Sequence, residues 1–321
     1  MPKPLPPELA PFLTPPAESS EQLSELTPPT DTVLRVLGGI GLPSTAVVDR
    51  MGGLSTPDNG ERSTHPVSEA LREQIESSFT GFSETIDAYY EAQQIELTDR
   101  SSVDEAQFST LLEQHLSKWS ERGSDGKSVF DFIREQKEAH PETNWTLVAV
   151  PVLPEAQRPL FDGHTVIQTA FKAFAEDMPN SNTDWINGTY CQGYTNKQIF
   201  GESAPDAQLS VRFELVPNTF TEEVPTGTVS AQRVSLAGFQ DNNPSANLHI
   251  SSPFTQLSRL HTLKAQTGAG SLANFNDTFI RNFDLPQVGG SVPFSCVGAG
   301  GYVNANRLDA GNQRGSRVAA G

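Results

Sequence analysis

A chain of 321 residues with formal net charge −17 and a pI near 4.7 is long enough for two cores but offers no broad basic face. Phosphate recognition needs such a face to release counterions, so nucleic acid is excluded as a general partner. Only 36% of residues are hydrophobic, beside 24 prolines and 25 glycines, so part of the length is not core.

The acidity is uneven: residues 1–143 carry about 25 acids against 11 bases, and the remainder is close to balanced. Solubility and repulsion from acidic surfaces are the plain consequence. The opening Met-Pro-Lys-Pro-Leu-Pro-Pro lacks the apolar core of a signal peptide, and no run approaches about eighteen apolar residues. A soluble chain without membrane insertion is expected, and the triads at Asn144, Asn187 and Asn276 read as coincidental sequons. Cys191 and Cys296 allow one disulfide at most and make no zinc site; a small buried thiol is the expectation for each.

Residues 1–62 form the first unit, a Pro/Ser/Thr-rich arm with 11 of the 24 prolines in its first sixty positions. Such a segment buries too little apolar area to offset its ordering entropy, so it is expected to be extended or disordered. An apolar patch at 32–42 is the exception, suited to docking on the body or on another subunit.

Residues 63–142 make the second unit, an acidic helical bundle. Leu71, Ile75, Phe79, Phe82, Ile86 and Tyr89 recur at 4-4-3-4-3 spacing and share one helix face. Ser102-Val103-Asp104-Glu105 reads as a capping box opening a second helix, whose face is Phe108, Leu111, Leu112, His115 and Trp119. A third helix follows Ser128, with Val129, Phe130 and Ile133. An antiparallel intramolecular bundle is the economical reading. The near-heptad faces also suit self-association, which makes a homo-oligomer through this region the second reading.

Residues 143–321 form the third unit. The continuous β-branched run 145–153 predicts a strand buried on both faces. A short helix is expected over 164–177, a structured loop over 184–200, and strands over 209–216 and 228–236. Helical spacing recurs at 254–264 and 272–283, and two or three strands close the chain. The sum is an α+β domain.

Chemical motifs are weak throughout. Gly123-Ser124-Asp125-Gly126-Lys127-Ser128 imitates the end of a phosphate-binding loop, but Glu121 stands where the first glycine belongs, and a turn with a helix cap explains it better. Ser83 lacks the second glycine of a nucleophile elbow and falls inside a helix. Six histidines are scattered without zinc-protease spacing. Asp162-Gly163-His164 and the 184–194 loop are the best place for a hydrolase site, and Asp241-Asn242-Asn243 for a structural calcium ion. No cofactor is indicated, and neither an enzyme nor a catalytic residue is singled out.

The segment 291–321 stands apart. Val292, Phe294 and Cys296 alternate like a strand, and a run of Gly, Asn, Tyr and Arg follows. Cys296, Val297, Val303, Leu308, Ala310, Val318 and Ala319 read as inward framework. Tyr302, Asn304, Asn306, Asp309, Asn312, Gln313, Arg314 and Ser316 are then expected to project outward. Tyrosine supplies rigid amphipathic area, Asn and Ser supply adaptable hydrogen bonds, and Arg grips carboxylates.

Phe279-Ile280-Arg281-Asn282-Phe283-Asp284-Leu285-Pro286, Val292-Pro293-Phe294-Ser295-Cys296-Val297, Leu308-Asp309-Ala310 and Ser316-Arg317-Val318-Ala319 together resemble the C-termini of variable proteins of diversity-generating retroelements. The Gly-Gly-Ser-Trp framework of many such proteins is absent. The resemblance implies a C-type-lectin-like scaffold whose adenine-containing codons, those of Asn above all, are rewritten by a mutagenic reverse transcriptase. It further implies a non-catalytic recognition protein with a protein or glycan ligand at the C-terminal surface, and the candidate ligand-binding residues it implies are Ser295, Tyr302, Asn304, Asn306, Asn312, Gln313, Arg314 and Ser316. A virion or tail-associated assembly protein is the alternative, and a hydrolase near Asp162 and His164 the second alternative.

Overall fold

The computed structural model describes residues 66–141, 143–157, 163–178, 183, 186, 191, 193–201, 204, 208–217, 228–250, 252–269, 280–281, 291–297, 303–309 and 318–319. The arm 1–62 and its apolar patch lie outside the described residues.

Helix α1 (Pro66–Ala92) buries Ile75, Phe82, Ile86 and Tyr89, with Phe79 half-buried beside them, as the 3–4 spacing requires. Its polar residues Gln74, Ser78 and Thr85 are buried as well, so more than one stripe of the helix is covered. Helix α2 (Glu105–Trp119) buries Phe108, Leu112, Leu116 and Trp119. Its cap is Asp104 and not Ser102: the Asp104 carboxylate accepts from Gln107 N at 2.8 Å, and Gln107 Oε1 accepts from Asp104 N at 3.2 Å. The two-residue shift leaves Val103 and Phe108 at the paired positions of a hydrophobic staple, and both are buried. Helix α3 (Val129–Ala139) starts at the expected Ser128, whose hydroxyl accepts from Asp131 N at 3.1 Å.

Strand β1 (Trp145–Val152) is buried along nearly its whole length and pairs antiparallel with β2 (Ser210–Pro217), from Trp145 opposite Pro217 to Val152 opposite Ser210. Helix α4 (Gly163–Glu176) turns Val166, Ile167, Ala170, Phe171 and Phe174 inward, and the short α5 (Asn196–Phe200) lies within the stretch expected to be loop. The strand expected over 228–236 is instead helix α6 (Val229–Asn242). Thr228 caps it, accepting from Ala231 N at 3.3 Å, and the covered positions Gln232, Leu236 and Phe239 fall at the 4-3 spacing of a helix face.

Strand β3 (His249–Ile250) leads into helix α7 (Pro253–Thr267), the centre of the fold. Every residue from Pro253 to Leu263 is buried, including Thr255, Gln256, Ser258, Arg259, His261 and Thr262. Ser252 caps it, Pro253 fits the first turn, and Gly268 at φ 78° ends it. The chain closes with β4 (Ile280–Arg281), β5 (Ser291–Val297), β6 (Val303–Asp309) and β7 (Val318–Ala319). At 280–281 the expected helix is therefore strand. Strands β4, β5 and β6 form one antiparallel sheet, and β7 pairs with β3.

The mixture of helix and strand is α+β, but its division differs from expectation. Helix α1 packs on α7, β1 and α4, and one continuous core runs from Ile75 to Val303. The helices of 63–142 are thus not a separate bundle. Their apolar faces close on the strands and on α7 through contacts such as Phe108 to Phe213, with ring centroids 5.0 Å apart.

Candidate functional site

Of the eight candidate ligand-binding residues, Ser295 sits on β5 and Asn304 and Asn306 on β6. Tyr302, Asn312, Gln313, Arg314 and Ser316 lie outside the described residues. The ladder pairs Cys296 with Asn304, Phe294 with Asn306 and Val292 with Leu308, so these six positions share one face of the sheet. Ser295, Ala305 and Val303 share the other face, and Val303 is fully buried. Asn304 thus stands directly across from Cys296, read as framework, and Asn306 across from Phe294. Strand β5 meets α7 and β6 meets α4, which anchors the ladder on the helical core. At the far end, β7 is held against β3 by the pairs His249–Ala319 and Ile250–Val318.

A second concentration of polar groups lies where α1, α4 and α7 converge, and nothing in the sequence spacing singled it out. His261 Nδ1 stands 2.8 Å from Glu84 Oε2, Lys264 Nζ lies 3.6 Å from the same carboxylate, and Lys264 donates to Asp177 at 2.7 Å. Burial alone raises the Glu84 carboxyl, but the hydrogen bonds and charges of His261 and Lys264 overrule it and hold Glu84 below the usual carboxylate range. His261 Nδ1 faces the Glu84 carboxylate, and Nε2 on the other side of the ring is buried without a hydrogen-bond partner among the described residues. The ring also meets Phe174 edge-on at 4.8 Å. The only sequence signal for this cluster was the polar content of a helix that Ser252, Pro253 and Gly268 delimit clearly.

One turn earlier on α7, Thr255 joins a further knot. Arg212 Nε donates to the fully buried Glu214 at 2.8 Å, Arg212 reaches Thr255 Oγ1 at 3.3 Å, and Ser252 Oγ lies 2.9 Å from Thr255 Oγ1. Both clusters tie helices and strands together, which commits their hydrogen bonds to the fold.

A groove of about 690 Å³ opens between the first turn of α2 and the start of β2. Ser102, Gln107, Thr110, Gln208 and Ser210 line it together with Leu111 and Leu209. Its carboxylate, Asp104, is engaged as the helix cap, so the groove suits neutral hydrogen-bonding groups. Ser101 backs it through Tyr90, whose hydroxyl donates to Ser101 O at 3.0 Å and accepts from Ser101 N at 3.1 Å. Burial pushes the Tyr90 phenol up.

The remaining motifs resolve simply. In the 123–128 turn, Lys127 donates to Glu135 at 2.6 Å, Ser128 caps α3, and Gly126 takes φ 75°. Asp125 accepts from Ser245 Oγ at 2.9 Å, so the turn is a packing element joined to the 244–246 turn. Asp241 and Asn242 are the last two residues of α6 and Asn243 closes it, so this candidate calcium loop is a helix end. His164 stands in the first turn of α4, and Asp162 lies outside the described residues. Among the described residues, no three His, Cys, Asp or Glu side chains gather as a metal site, and no helix is long and apolar enough to cross a membrane. Cys191 is buried. No protein-family model, curated protein or solved structure matches this chain.

Proposed function

We propose that this chain is a non-catalytic recognition protein that binds a protein or glycan through its segment 291–321, on a C-type-lectin-like scaffold of the kind used by variable proteins of diversity-generating retroelements. The observation that carries the reading is the pinning of the segment at both ends. Seven consecutive pairs join β5 to β6 from Ser291–Asp309 to Val297–Val303, and β7 is paired with β3, which ends three residues before the central helix begins. Between these fixed stretches the sequence places Tyr302 in one connection and Asn312, Gln313, Arg314 and Ser316 in the other. A frame held on both sides lets the intervening side chains vary without unfolding the body, and pre-organisation lowers the entropy cost of binding.

The test is nucleotide sequence. A neighbouring reverse-transcriptase gene, with an imperfect repeat of the 3′ coding region that differs at adenines in the codons for Asn304, Asn306 and Asn312, is the expected finding. A gene neighbourhood without that repeat, or substitutions spread evenly over 143–321 among related isolates, overturns the reading.

A further inference from the structure

We propose that the groove between the start of α2 and the start of β2 is a second binding site, one that takes a neutral saccharide. It is built from other elements than the segment 291–321 and is independent of what that segment binds. Its volume of about 690 Å³ is in the range of small-molecule sites.

Both walls are set by the fold. The Asp104–Gln107 capping box, with Val103 and Phe108 buried beneath it, fixes the first turn of α2. Behind that turn, the hydroxyl of the fully buried Tyr90 lies 3.0 Å from Gln157 Oε1, and Gln157 Nε2 donates to Ser101 Oγ at 2.9 Å. The opposite wall is fixed by the β1–β2 ladder, whose end pair is Val152 with Ser210. A site assembled in this way loses little freedom when a ligand enters.

The fold uses only part of the polar equipment. Asp104 is the helix cap, Thr110 Oγ1 donates to Ala106 O at 2.9 Å, and Ser101 Oγ is held by Gln157. Ser102, Gln107, Gln208 and Ser210 also line the groove. Among the described residues, no hydrogen bond engages the two serine hydroxyls, the Gln208 carboxamide or Gln107 Nε2. A hydroxyl both donates and accepts, and a carboxamide does the same through separate atoms. The complement to such a set is a ligand whose own groups donate and accept at one atom, as sugar hydroxyls do.

Charge and the apolar lining narrow the class. Among the described residues, no Lys, Arg or His lines the groove, and Arg100 and Arg212, which flank it in sequence, are paired with Asp87 and Glu214. An anionic ligand therefore finds no countercharge and meets Asp104 on a chain of net charge −17. A cation meets one carboxylate, which the helix N-terminus already holds. The apolar lining of Val103, Leu111 and Leu209 is aliphatic. It suits the C–H face of a pyranose and gives a planar aromatic ligand no ring to stack on.

Saturation-transfer NMR of the full chain is the experiment, with glucose, galactose, mannose and N-acetylglucosamine as probes, each beside its 6-phosphate. At least one neutral sugar is expected to bind with a Kd of about 1 mM, and its phosphate at least about fivefold more weakly. Gln208→Ala and Ser102→Ala, both at exposed positions, are each expected to weaken binding by about threefold or more. Asn304→Ala with Asn306→Ala is expected to leave it unchanged, which separates the groove from the C-terminal sheet. Circular dichroism confirms that each variant is folded. The proposal is overturned if no neutral sugar binds at about 50 mM, or if the phosphates bind as tightly. Binding indifferent to Gln208 and Ser102, or lost on changing Asn304 and Asn306, overturns it equally.

Discussion

Gly81 is where α1 and α7 come closest, and a single methyl group there tests the packing. A Cβ at this position would lie 2.4 Å from Thr262 Oγ1, 2.6 Å from Thr262 N and 2.7 Å from Thr262 Cα. All three distances are shorter than real Cβ contacts, and two of them are to backbone. Thr262 cannot swing aside, because its hydroxyl donates to Ser258 O at 2.9 Å inside a helix buried on all sides. Gly81→Ala gains about 1 kcal/mol of helix propensity. Overpacking a tight interior costs about 1–3 kcal/mol, and a backbone clash puts this site at or above the top of that range. The expected net loss is about 2 kcal/mol, read as a urea midpoint lower by about 0.7 M at a slope near 3 kcal/mol/M. Adding Thr262→Ala removes only the Oγ1 contact, so the double variant stays destabilised. A Gly81→Ala protein as stable as the wild type would refute the close crossing.

Two further outcomes follow from the interior polar groups. Arg212→Ala withdraws the cation nearest the fully buried Glu214 and is expected to cost about 2–3 kcal/mol, below the usual range for buried pairs because Arg212 is one-third exposed. Arg212→Met with Glu214→Leu recovers most of that loss in the same urea titration; a single variant within about 0.5 kcal/mol of wild type contradicts the pairing. Burial beside Phe213 and Trp119 holds the His115 imidazole below its ordinary value of 6.5. The unfolded chain therefore takes up this proton first. The His115 contribution is complete above about pH 6.5 and is lost as pH falls toward the lowered folded value. His115→Phe should reduce the difference in unfolding free energy between about pH 7.5 and pH 5.5, and an unchanged difference would show that His115 is not the titrating group.

Most helices were legible where apolar spacing and caps agreed. Ile75, Phe82, Ile86 and Tyr89 carried the 3–4 period of α1, and Ser128 with Asp131 marked the start of α3. The continuous run from Trp145 announced a strand buried on both faces. Helix α6 was missed over 228–236, where a strand was expected, and its covered residues are Gln232, Leu236 and Phe239. Its first covered residue is a glutamine, which a hydrophobicity pattern cannot report. Helix α7 was legible from the helical spacing at 254–264, but the burial of its polar residues was not: Thr255 meets Arg212 of β2 and His261 meets Glu84 of α1. For the candidate ligand site, the two-residue alternation of Val292, Phe294 and Cys296 located β5. Which residues face each other across β5 and β6 depends on register, and register set Asn304 against Cys296.

The crossing of α1 with α7 also governs how the protein can be made. Glu84 and His261 are 177 residues apart in the chain, so α1 has no partner for its buried polar face until the ribosome has finished α7. At about 5–20 residues per second, that interval is roughly 10–35 s. During it, α1 lacks the cover that α7 gives it, although β1 and α4 are already made, and a nascent chain in this state is open to aggregation or to chaperone capture. Synthesis that pauses before Pro253 lengthens the exposure, and a chain released before that point never acquires its central helix.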